Sequence, residues 1–184
     1  PQTIDVIKHR AGLVRGAFHG SMLRNDLYNF SRIGTFIERA DNTARILDVK
    51  YYVLLPAVAH VGSSLDNAQW ESILRSVSAH RPYGWVYDAE YKPANIADFL
   101  ILNGRMPRSL AYCYEKITSN LNYIAEDYGE KHKAHETADA IRASLKSTTV
   151  TRIMDGGLHE FLEEFVNRNN QLGQEITEGY RFYQ

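Results

Sequence analysis

Apolar residues recur at every third or fourth position along most of the chain, and no alternating run carries hairpin turn chemistry, so the pattern predicts helices and no strand. The strongest segment runs from about Asp26 to Leu55. Its Ile33, Ile37, Ala40, Ala44, Leu47, Tyr51 and Leu54 form one stripe of a helix roughly 40 Å long at 1.5 Å per residue, and Pro56 stops it. A first helix over 2–20 sets Ile4, Ile7, Ala11, Val14 and Phe18 on one side, and Gly16 and Gly20 weaken its end. Ser21 to Asn25 supplies capping groups. Asp66 can cap a helix carrying Trp70, Ile73, Leu74 and Val77, which Pro82 and Gly84 end, leaving Tyr83–Tyr91 irregular.

Pro93 suits the first turn of a short helix through Phe99 to Leu102, and Asn103-Gly104 is a turn. Leu110, Cys113, Ile117, Leu121, Ile124 and Tyr128 keep helical spacing up to Gly129. Ala134, Ala138, Ile141 and Leu145 mark another helix, which the β-branched run before Thr151 loosens and Asp155-Gly156-Gly157 breaks. Leu158, Phe161, Phe165, Leu172, Ile176 and Tyr180 carry the last. The expected fold is all-α, a multi-helix bundle of about six to seven helices around one long helix, forming a single domain over residues 1–184.

The long helix also carries the most pointed chemistry. Glu38, Asp41, Arg45 and Asp48 lie in a row beside its apolar stripe at about 100° per residue. Such a row is either a boundary salt-bridge network or the lining of a site. Asp41 and Arg45 stand i,i+4 in the favourable order, each such surface pair stabilising by only ~0.2–0.5 kcal/mol. Three carboxylates against one arginine need positive charge from elsewhere if the row is buried. Glu38 and Arg39 diverge by about 100°, so they are not expected to do one job together, and Arg39 is expected nearly opposite the stripe, free to reach solvent, a neighbouring helix or a partner.

Composition narrows the classes. The formal net charge of −1 argues against a broad nucleic-acid footprint. The longest apolar run, Tyr51 to Ala59, is too short for a membrane span and contains Pro56. Cys113 is the one cysteine, which excludes an intrachain disulfide and a cysteine-based zinc site and suits a cytoplasmic setting. The chain starts at Pro1 with no signal-like region and reads as a fragment or processed product.

The remaining candidates each have a structural reading. His132, His135, Glu136 and Asp139 have ligand-like spacing, but their Lys- and Glu-rich setting reads as a solvated helix start, and no metal site or cofactor is expected. Cys113 belongs to an apolar stripe. Ser109 is placed to cap a helix, and the same terminus with Arg108 is a candidate anion site. Trp85, Tyr87 and Tyr91 with Tyr83 either tuck against the bundle or form a partner surface. His159-Glu160 opens the last helix, where Glu160 favours the N-terminus.

The segment Ile37-Glu38-Arg39-Ala40-Asp41-Asn42-Thr43-Ala44-Arg45, with Phe30, Ile33-Gly34 and Leu47 to Tyr51 around it, resembles the signature of the bacterial alpha-E domain family. Leu54-Leu55-Pro56, Gln69-Trp70, Leu74 to Ala79, Phe99-Leu100, Pro107 to Leu110 and Gly157 to Leu162 extend the resemblance along nearly the whole chain. The family usually has arginine where this chain has Thr35, and often histidine where it has Tyr52, so roles for those side chains do not carry over. Full-length members resemble a tandem duplication, and the chain looks like the second half, whose uncovered apolar faces would favour a homo-oligomer or a partner. The resemblance implies a setting of peptide ligation or modification beside an ATP-grasp-type ligase and a transglutaminase-like peptidase, and the lack of a nucleophile–base pair, cofactor loop or metal constellation in the sequence favours a non-catalytic interaction or scaffold protein there. The alternative is an enzyme or small-ligand or peptide binder that uses the carboxylate-rich row.

Overall fold

A computed structural model describes residues 2–52, 64–88 and 91–182, without the side chains of Tyr51 and Tyr52. The described residues form helices and no strand: α1 (Gln2–Ser21), α2 (Asp26–Tyr52), α3 (Ser64–Ser76), α4 (His80–Tyr87), α5 (Pro93–Ile101), α6 (Leu110–Tyr128), α7 (Lys133–Ser147), α8 (Val150–Gly156) and α9 (Leu158–Gly179). The expected run through Leu54 to a stop at Pro56, and the loop after it, lie outside the described residues.

Four long helices make the bundle. α2 packs on α6 and α9, and α7 closes the other side against α6 and α9. The inward stripe of α2 is Ile33, Phe36, Ala40, Ala44 and Leu47, facing Leu110, Cys113, Ile117, Leu121 and Ile124 of α6 and Leu162, Phe165 and Leu172 of α9. Small Ala40 and Ala44 mid-stripe permit close helix approach. The shorter α3 and α5 pack on α2, α4 packs on α3 and α5, and α8 bridges α5 to α9.

Polar groups fix the register. Tyr114 donates to Asn169 Oδ1 at 2.8 Å, and Asn169 Nδ2 donates to the Ile37 carbonyl oxygen at 3.2 Å, which ties α6, α9 and α2 through one buried amide. Lys50 Nζ donates to Asp66 Oδ1 at 2.6 Å and to Gln69 Oε1 at 2.5 Å, pinning α3 to the C-terminal part of α2. Asp66 therefore sits inside the first turn of α3 and neutralises a buried lysine from there.

Two expectations change, in the helix count and in α1, and one open alternative, the aromatic segment, is decided. The count exceeds the expected one because α4 continues through Pro82 and Gly84, and α8 forms in the β-branched stretch. Pro82 lies in the first turn of α4, where a missing N–H is tolerated, so it starts a helix instead of ending one. The aromatic segment is mostly tucked in: Tyr83 is buried and stacks on Tyr87, which bonds Asp98, while Trp85 stays exposed. The largest change is α1, which forms as expected but buries none of its residues: Ile4 and Ile7 stand exposed, and Ala11, Val14 and Phe18 line an open groove against α2.

Candidate functional site

On α2 the charges divide between two edges of the inward stripe. One edge faces α9. There Arg45 Nε donates to Asp41 Oδ2 at 2.7 Å, and His159 Nδ1, at the start of α9, donates to Asp48 Oδ1 at 2.8 Å. Arg45, Asp48 and His159 line a cavity of about 360 Å³ with Glu163, Asn167 and Asn170 of α9. Asp41 Oδ1 is buried and has no hydrogen-bond partner. Asp48 holds the His159 imidazole above its ordinary pKa, chiefly through that hydrogen bond, and its own charge and those of Glu160 and Glu163 add to the effect against desolvation.

The other edge faces α1 and is basic. A cavity of about 710 Å³ runs between α1 and α2, lined by Arg15, Phe18 and His19 of α1, by Arg32, Glu38 and Arg39 of α2, and by Arg108 from the turn before α6, among others. Arg32 and Arg39 stand seven residues apart, two turns along one face. Their guanidinium carbons lie 4.4 and 5.1 Å from the centroid of the same Phe36 ring. Arg39 Nη1 also donates to the Pro107 carbonyl oxygen at 3.1 Å, which fixes the turn that presents Arg108. Arg32 Nη1 donates to His19 Nε2 at 3.2 Å, so that nitrogen accepts and the proton sits on Nδ1, 3.4 Å from the Tyr28 hydroxyl.

The electrostatics of this edge are those of crowded like charges. Burial lowers the Arg32 and Arg108 pKa values, and Arg39 lowers both further. His19 is lowered by desolvation and then by Arg32, Arg24, Arg15 and Arg39. No carboxylate pairs with Arg15, Arg32, Arg39 or Arg108 among the described residues. Glu38, the one acidic residue of the lining, is exposed.

A family model described as a predicted alpha-helical domain with a conserved ER motif, Alpha-E, matches residues 2–180. The chain belongs to the Alpha-E family. Searches of curated proteins and of solved structures returned no match. Glu38-Arg39 is the one Glu-Arg dipeptide of this Alpha-E chain, and both residues line the same groove despite their divergence, because the groove spans a wide arc of α2. Arg39 is half-buried at the stripe's border and not opposite it, since Phe36 and Pro107 hold it there.

The Alpha-E structure thus separates residues that the sequence pattern grouped in one row. Arg45 and Asp48 go with α9, with Asp41 bonded to Arg45, and Glu38 and Arg39 go with α1. Arg108 and Ser109 also part. Arg108 enters the basic groove, whereas Ser109 is buried, accepts from the Tyr112 amide at 3.0 Å and donates to the Asn103 carbonyl oxygen at 2.6 Å, as a helix cap does. Arg15, His19 and Arg32 were missed as site residues. The i,i+4 pair Arg15/His19 and the two-turn spacing of Arg32 and Arg39 were the available signals.

The other candidates fall into structural roles. Cys113 is buried and its thiol is pushed up to about 12, chiefly by burial. His135 corrects the reading of a solvated helix start: it is buried, with Nε2 3.0 Å from the Leu121 carbonyl oxygen, and it accepts from the His132 amide at 3.0 Å. Among the described residues no group of three His, Cys, Asp or Glu is set to hold a metal ion, and no helix is long and apolar enough to cross a membrane.

Proposed function

We propose that this Alpha-E domain is a non-catalytic helical interaction protein of a bacterial, cytoplasmic peptide ligation or modification system, docking on an ATP-grasp-type ligase that works with a transglutaminase-like peptidase. The observation that carries the reading is α1. Ile4 and Ile7 are 58% and 62% exposed, outside the groove lining, on a helix that buries no residue of its own. A contiguous apolar helix face in water favours a cover, and an amphipathic helix is a common protein-docking element. Co-expression with the neighbouring ligase tests it. Co-elution with the wild-type domain, lost on Ile4→Glu with Ile7→Glu, is the expected result. A wild-type domain that elutes without the ligase, as a monomer or a homo-oligomer, overturns it.

A second reading, a small-ligand or peptide binder that uses the carboxylates, is favoured by one observation. Asp41 Oδ1 is a buried acceptor without a donor, a state that native proteins rarely leave unexplained. An amine that reached Asp41 from the cavity lined by Arg45 and Asp48 would supply that donor. Thermal shift against amines and short peptides checks this, since a specific binder raises the melting point by mass action. A shift that persists unchanged in Asp41→Asn contradicts it.

A further inference from the structure

The groove between α1 and α2 presents guanidinium groups from three separate parts of the chain: Arg15 on α1, Arg32 and Arg39 on α2, and Arg108 before α6. We infer that this groove is a binding site for a multivalent oxyanion, carried as phosphates or as clustered carboxylates on a small molecule. The inference goes beyond the docking reading and does not depend on it.

Three observations carry it. First, these arginines have no carboxylate partners among the described residues, although Arg32 and Arg39 crowd one Phe36 ring and Arg108 lies close enough for Arg39 and Arg15 to perturb it. Like charges held together repel, and an anion among them turns that repulsion into attraction. Second, the positions are built. Phe36 supports two guanidiniums from below, and the bond from Arg39 to the Pro107 carbonyl oxygen holds the turn that carries Arg108. A planar guanidinium fork fits phosphate and carboxylate oxygens two at a time, which a lysine does not.

Third, the cavity volume of about 710 Å³ is that of a small-molecule site. Phe18, Val14 and Ala11 give it an apolar wall against which an organic body can lie. Four arginines against Glu38 leave a positive excess that a singly charged anion would not neutralise, so the fitting ligand carries several negative charges. The chain's net charge of −1 makes this excess local rather than a general property of the surface.

The test is calorimetric titration of the purified protein with pyrophosphate and, separately, with citrate, at low and at physiological ionic strength. Saturable binding of either probe is expected. Tighter pyrophosphate assigns a phosphate ligand, and tighter citrate a polycarboxylate. Arg39→Gln with Arg108→Gln should weaken binding at least tenfold. Arg15→Gln, on a helix that buries nothing and so does not endanger the fold, should weaken it several-fold. Arg39→Lys with Arg108→Lys should fall between wild type and the glutamine pair, and Arg45→Gln on the opposite edge should leave binding unchanged. Absence of saturable binding of both probes, or equal binding in wild type and Arg15→Gln, overturns the inference.

Discussion

His159 Nδ1 donates to Asp48 Oδ1 at 2.8 Å, across the seam between α9 and α2. The bond favours the charged imidazole and raises the His159 pKa above 6.5. For a raised histidine the stabilisation is complete below pH 6.5 and disappears as pH climbs through the native value. Asp48→Asn should therefore shift the His159 titration downward, read from its imidazole resonances, and flatten the loss of stability above pH 6.5. A His159 that titrates identically in both proteins contradicts the assignment.

Lys50 and Asp66 are both buried, and the lysine also lies 5.2 Å from the Trp70 ring centroid. Removing one partner breaks this buried ion pair, so Asp66→Leu should destabilise by about 3–5 kcal/mol, whereas Lys50→Met together with Asp66→Leu should cost less than that single change. Urea denaturation of the three proteins checks the order.

Asn169 is the polar hinge of the bundle, joined to Tyr114 and to the Ile37 carbonyl oxygen. Asn169→Leu leaves the Tyr114 hydroxyl and a backbone acceptor short of partners, an expected cost of about 1–3 kcal/mol. A denaturation midpoint equal to wild type would contradict this role.

Ser109 and Arg108, adjacent in sequence, should separate in experiment. Ser109→Ala removes the α6 cap and should cost about 0.5–2 kcal/mol of stability while leaving pyrophosphate binding intact. Arg108→Gln should do the reverse. Thermal melts with and without pyrophosphate read both effects.

The bundle was legible because α2, α6, α7 and α9 each carry an apolar stripe with helical period, as Ile33, Ala40 and Leu47 do in α2. The exposure of α1 was not, because its Ile4 and Ile7 have a buried helix's period and only the arrangement of neighbours leaves them in water. The site was half legible. A helical wheel places Asp41, Asp48 and Arg45 near one another, but it does not say that α9 takes one border of the stripe and α1 the other. His159, Arg15 and Arg108 reach α2 from distant segments, as Asp66 reaches Lys50, and no local pattern encodes such pairings. Pro82 misled for a local reason: the same proline that breaks a helix interior opens one when it falls in the first turn.

The division of α2 into a carboxylate edge and an arginine edge is the claim on which the account stands, and one titration addresses it. Guanidinium Nε–H resonances, assigned by arginine substitution, are followed while pyrophosphate is added. Arg32, Arg39 and Arg108 should shift together and saturate at one concentration, with Arg45 unmoved. Arg45 shifting in step with them, or no saturable shift in any of the four, would contradict it.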